Sequence, residues 1–217
     1  MQNFSGSLGS QQRSGLHIAE IIATATTECL AQCPVPADLD FPAMPPFGSW
    51  VKAPQDEAGS KMVYGVVYHG MTGSIDSAHR PTALGMSLAE LRSEQPQIFA
   101  MLKTEIKIVW LGFVQGQIDN GGSVYQHLPS QPPQIHQAVY ACTPQEVIAF
   151  TKELHFLRTL VQMTHAPTDE LIAAIFRDGY QLRQCDRPWL VRAGRKLGIL
   201  LKEDYDRLGA ILSQVHP

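Results

Sequence analysis

An α+β fold, mainly β and then α, is predicted for this chain of 217 residues: a small β-barrel, closed or partly open, followed by a helical C-terminal region. Three observations predict it. Up to residue 142 the apolar residues fall in short runs rich in β-branched and aromatic side chains, punctuated by Pro, Gly, Asn and Asp. At Thr143 the period changes from two to near 3.6 and stays there. Hydrophobic residues make up 44% of the chain, enough for a packed core, yet no run reaches the roughly 18 apolar residues of a membrane helix.

Residues 1–15 are rich in Ser, Gly and Gln and lack the apolar centre of a signal peptide, so a flexible leader is expected. From Leu16 the chain alternates. Leu16, Ile18, Glu20 and Ile22 share one side of a strand over 16–24, while His17, Ala19, Ile21 and Ala23 share the other. Residues 26–33 read as a second strand. Pro34, Pro36, Pro42, Pro45 and Pro46 then forbid a regular ladder and give a stiff loop. A short strand over 49–53 and a polar turn over 54–61 follow. Residues 62–70 are the strongest strand. Bulky residues at both parities predict cover on both faces, and Gly65 marks a bend or bulge.

Ser87 with Glu90 three residues on makes a capping box for a short helix to Gln95, and Pro96 opens another turn to Leu102. Residues 104–116 return to strand. Asp119-Asn120-Gly121-Gly122 is a hairpin turn, followed by strands over 123–127 and 136–141 around a proline-stiffened loop. Thr143-Pro144-Gln145-Glu146 is a second capping box, with proline at the first helical position. Four helices are expected from there: 143–163, one opening at Pro167, one over 186–201, and one over 203–215. The expected domains are therefore the leader (1–15), the barrel (16–142, with a helical insertion near 87–102), and a helical region (143–217) packed on the barrel.

Several stretches resemble one known family. IAEIIATATTECLAQC (18–33) resembles the first strand pair of the HAS barrel, the β-domain shared by HerA-type DNA translocases and ATP synthase subunits. PPFGSWVKAP (45–54) resembles its next strand. MVYGVVYHGMTGSIDSAHRPTALG (62–85) is similar to the corresponding strand and loop of stand-alone members of the cyanobacterial type. LPSQPPQIHQAVYACTPQEV (128–147) and FLRTLV (156–161) carry the resemblance into the helices. It covers roughly 16–215. It implies a barrel whose role in the larger relatives is barrel-to-barrel contact, as in the crown ring of ATP synthase. The nucleotide-hydrolysing core of those relatives is missing here. There is no GxxxxGK[ST] loop, and Gly59-Ser60-Lys61 lacks the upstream glycine. No catalytic residue carries over.

The formal net charge is -3. Residues 1–136 hold 7 basic against 11 acidic side chains, and 137–217 hold 10 against 9. A duplex-coating protein needs a basic excess, which this chain lacks. Cys29, Cys33, Cys142 and Cys185 form no CxxC pair and are expected to be reduced, mostly buried thiols of a cytoplasmic protein. No metal or other cofactor is expected. His69, His79, His127 and His136 follow no metal-ligand spacing and read as ordinary loop and surface histidines. Neither GxSxG nor a cysteine in a catalytic motif occurs.

The candidate partner-binding residues are Arg80, Trp189, Arg192, Arg195 and Lys196. Arg80 lies in a polar loop cluster with Asp76 and His79, against the simpler reading of a local salt bridge. Arg187, Arg192, Arg195 and Lys196 put four cations into one helix, and residues 192, 195 and 196 share a face. The plain alternative is a solvated face, or one paired with Glu203, Asp204 and Asp206. Trp189 follows a proline at a helix start, as a partner anchor or as a packing staple. The expected function is a non-enzymatic assembly or adaptor subunit. It docks on a larger complex, of ATPase or ATP synthase-like kind, or self-associates through its barrel. A nucleic-acid accessory factor working with a motor ATPase is the alternative, disfavoured by charge. A small-molecule site in the barrel mouth is the third reading.

Overall fold

The computed structural model describes residues 17–35, 43–55, 59–76, 82–118, 121–202 and 204–215. The leader and Arg80 lie outside the described residues. Seven strands form one antiparallel sheet: β1 (His17–Thr24), β2 (Glu28–Gln32), β3 (Trp50–Pro54), β4 (Lys61–Ser74), β5 (Leu102–Gln115), β6 (Ser123–Tyr125) and β7 (Ala138–Ala141). Neighbours run β2-β1-β7-β3-β4-β5, and β2 pairs back onto β5 from Glu28↔Val109 to Gln32↔Glu105. That last pairing closes six strands into a barrel and leaves none of the six with a free edge. β6 pairs with β5 alone, outside the ring. The expected α+β class holds, and of the two expected forms the barrel takes the closed one.

Alternation along the strands sorts side chains between two cores. Ala19, Ile21, Ala31, Val51, Val63, Val67, Ile106, Ile108, Trp110 and Val139 fill the barrel interior. Trp50, Tyr64, Val66, Tyr68, Val109 and Leu111 point outward from β3, β4 and β5 into a second core, shared with the helices. This explains the run of six buried residues, Val63–Tyr68: both faces of β4 are covered. The ladder between β4 and β5 slips between Tyr64 and Gly65. A Cβ at Gly65 would stand 2.3 Å from the Val109 carbonyl oxygen, so only glycine fits this bulge.

Between β4 and β5 lie α1 (Leu88–Glu94) and α2 (Gln97–Ala100), the expected insertion, with the Ser87–Glu90 capping box in place. After β7 come α3 (Pro144–Phe150), α4 (Leu157–Val161), α5 (Thr168–Leu182), α6 (Arg187–Leu201) and α7 (Tyr205–Ser213). The expected single helix over 143–163 is thus two helices, and the described residues of the C-terminal region hold five helices rather than four. The cause is a tertiary contact. Beside β6, the Gln126 amide donates to the carbonyls of Phe150 (2.6 Å) and Glu153 (2.8 Å), and its oxygen accepts from His155 N (2.7 Å) and Phe156 N (3.2 Å). Four backbone groups freed by the break find partners on one side chain.

A polar staple ties α3 to the barrel. Thr143 and Glu146 form the capping box, and the same Glu146 carboxylate accepts from Lys52 Nζ on β3 and from the Tyr64 hydroxyl on β4 at 3.2 Å. Burial alone would raise the Glu146 carboxyl. The Lys52 ammonium, the Thr143 N–H and the Tyr64 hydroxyl outweigh it and hold the group below the usual carboxylate range.

Candidate functional site

The helical region presents a built groove on the side of α6 away from its core stripe. α6 starts where the Asp186 side chain accepts from Trp189 N at 3.3 Å, with Pro188 in the first turn. Its residues Trp189, Ala193, Leu197 and Leu201, spaced by four, are buried. Trp189 sets the helix in place. It is 1% exposed, packs edge-on to Phe176 (centroids 6.1 Å apart), lies under the Arg183 guanidinium at 4.4 Å, and donates Nε1–H to the Thr151 carbonyl at 3.1 Å. Of the two readings of Trp189, partner anchor or packing staple, burial excludes the exposed anchor, and the staple joins α5, α6 and the turn after α3.

α7 is fixed as firmly. Asp204 caps it through Arg207 N, and Arg207 forks onto both oxygens of Asp169 at the start of α5, with three contacts of 2.7–3.0 Å. Arg177 of α5 donates to the Gln214 carbonyl at 3.0 Å. Between α6 and α7 runs a groove of about 450 Å³, lined by Arg187, Leu190, Val191, Gly194, Arg195, Gly198, Leu208, Leu212 and Val215. The two glycines let the α7 leucines come close: Leu208 Cδ2 would be 3.2 Å from a Cβ at Gly198, and the Leu212 methyls 3.6 Å from one at Gly194. The floor is apolar, and the charged groups that line it are both cations.

Arg187, Val191, Arg195 and Ile199 fall on one i, i+4 row, forming a ridge of alternating arginine and aliphatic side chains along the open edge. All four are exposed, Val191 by 44% and Ile199 by 74%. Tyr205, at the start of α7, is 71% exposed. Among the described residues no carboxylate pairs with Arg187, Arg192, Arg195 or Lys196, and Asp204 is engaged in capping. Of the expected site residues, Arg195 lines the groove, Arg192 is exposed on the flank beside it, and Lys196 is half-buried further round the helix. The apolar floor and the part played by Arg187 were not anticipated. The signal in the sequence was the pair Gly194 and Gly198, one turn apart between two leucine-bearing helices.

Other features lie elsewhere on the molecule. A chamber of about 510 Å³ at one barrel mouth is walled mainly by apolar residues, among them Pro34, Val35, Met44, Pro46, Trp50 and Val51. Tyr68 donates to Glu28 Oε2 at 2.6 Å, and His165 Nε2 lies 3.2 Å from the same oxygen. Burial first, and Glu28 second, raise the Tyr68 hydroxyl, so the phenol stays protonated in this linkage between β2, β4 and the α4–α5 turn. His79 lies outside the described residues, and the described histidines are dispersed in role: His136 Nδ1 pairs with Glu20 at 2.7 Å, and His127 packs edge-on to Phe113. Among the described residues no three His, Cys, Asp or Glu side chains gather as a metal site, and no helix is long and apolar enough to cross a membrane. No protein-family model matches the chain, and no curated protein sequence matches it.

Proposed function

We propose that this chain is a non-enzymatic adaptor that docks a partner protein on its α6–α7 face, with the barrel as a rigid base. The observation that carries this reading is the groove itself. An apolar channel of about 450 Å³ with a cationic rim lies on helices pinned from behind by Trp189 and by the Arg207–Asp169 fork. A rigid apolar groove between helices is the shape in which a partner helix lays its own apolar face. Exposed aliphatic and aromatic residues around it (Val191, Ile199 and Tyr205) extend the contact surface. The closed barrel agrees with the HAS-barrel resemblance, and membership of that family is part of this proposal. So is docking on a larger assembly of ATPase or ATP synthase-like kind inside the cytoplasm.

The test is affinity capture of the tagged chain from its native cell extract, with and without nuclease, beside the variant Val191→Asp. Val191 is exposed, so the variant is expected to fold. A protein partner held by the parent chain through nuclease and high salt, and lost by Val191→Asp, supports docking on this face. An identical partner set for both chains contradicts it. Loss of the partner on nuclease treatment transfers the reading to a nucleic-acid accessory role, read out by steep salt dependence.

A further inference from the structure

We infer that the α6–α7 groove takes one amphipathic helix of a partner protein, about three turns long, whose apolar stripe is flanked by carboxylates. This rests on the docking reading above and goes beyond it by fixing the partner's chemistry. Length comes from the lining. The groove follows α6 from Arg187 to Gly198, which at the helical rise is about 17 Å, the span of about three turns. Shape comes from the floor, where Leu208 and Leu212 pack over Gly194 and Gly198 and give an incoming helix an apolar bed.

Charge decides the occupant. Arg187 and Arg195 stand eight positions apart on the open ridge, about 12 Å along the axis. Among the described residues neither has a carboxylate partner, and Arg192 adds a third exposed cation on the same helix. Carboxylates spaced two turns apart on an incoming helix meet both rim arginines at once, and arginine forks bind carboxylates bidentately. A second copy of this chain is a poor occupant. A twofold contact sets the same patch against itself, which would oppose the Arg187–Arg195 ridge to its own image. A helix with a basic flank meets the same repulsion.

The experiment measures binding of the full chain to two fluorescent peptides of about 14 residues with the same leucine stripe, one flanked by glutamates and one by lysines. The expected result is binding of the glutamate peptide about tenfold tighter than the lysine peptide at low salt, a gap that narrows as salt screens the rim. In the double variant Arg187→Glu/Arg195→Glu the preference is expected to invert. Both side chains are exposed, and a matching thermal melt confirms that the fold is kept. Equal affinity for the two peptides, or a preference unchanged by the double variant, overturns the inference. Concentration-dependent dimerisation abolished by Val191→Asp assigns the groove to a second copy and also overturns it. The two readings fail separately. If Val191→Asp loses a captured protein while the peptides show no charge preference, docking stands and the acidic helix falls. If Val191→Asp loses no partner, docking itself falls.

Discussion

Cys185 is exposed at the turn between α5 and α6, while Cys29 and Cys33 are buried in the barrel and Cys142 sits half-buried beside the Glu146 staple. Burial pushes the Cys33 thiol up to about 11, and raises Cys29 and Cys142 further, with the Glu28 and Glu146 carboxylates adding to the rise. Thiolate is the reactive form, so at neutral pH these three are expected to resist alkylation in the native state. Mass spectrometry after a short iodoacetamide pulse is expected to find label on Cys185 alone, and on all four in denaturant. Rapid native labelling of Cys33 would contradict the packing described. The expectation of mostly buried thiols needed only the composition of their surroundings; the exception at Cys185 depends on a turn whose Gln184 and Cys185 take φ of 53° and 64°. Trp189 was harder to read. Its helix carries two apolar rows, 189-193-197-201 and 190-191-194-198, and the sequence does not say which one a neighbour covers. Trp189→Ala is expected to cost about 3–5 kcal/mol in urea denaturation, since it removes a buried indole that the helices cannot refill. A cost below about 1 kcal/mol would mark an exposed side chain.

The helical elements are legible where their caps are local and opaque where their ends are tertiary. Ser87–Glu90 and Thr143–Glu146 are both found as capping boxes because every partner lies within three residues. The break after Phe150 depends on Gln126, which comes from a different element. Gln126→Ala is expected to destabilise the chain by about 1–3 kcal/mol, with a lower denaturation midpoint, because four backbone groups lose their partner. An unchanged midpoint would mean that water replaces the amide at no cost. The α3 staple gives a pH prediction. The Glu146 carboxyl is held below its ordinary 4.5, so its contribution is complete above that pH and is lost as pH falls through the lower folded value. Stability should therefore drop on acidification below about 4.5 in the parent chain. Glu146→Gln, which keeps a capping-box partner, should flatten that part of the profile. Parallel profiles for the two chains would remove Glu146 from the linkage.

At the scale of the molecule, alternation and proline punctuation were enough to foresee a barrel and the switch to helices at Thr143. Closure was not readable, because it rests on β2–β5 and β1–β7 pairings between segments about 75 and 120 positions apart. The proposed docking face is likewise a product of assembly. Its cations were visible as a cluster in one helix, but the channel beside them exists only once α7 folds back against Gly194 and Gly198. The proposed adaptor meets its partner on this face rather than on the barrel wall. Site-specific photo-cross-linking in the native cell tests it most directly, with the reactive side chain placed at Ile199 on the groove edge or at Thr26 on the exposed β1–β2 turn. Defined protein adducts from position 199 and none from position 26 are the result expected. Adducts from position 26 alone, or the same adducts from both, would contradict it.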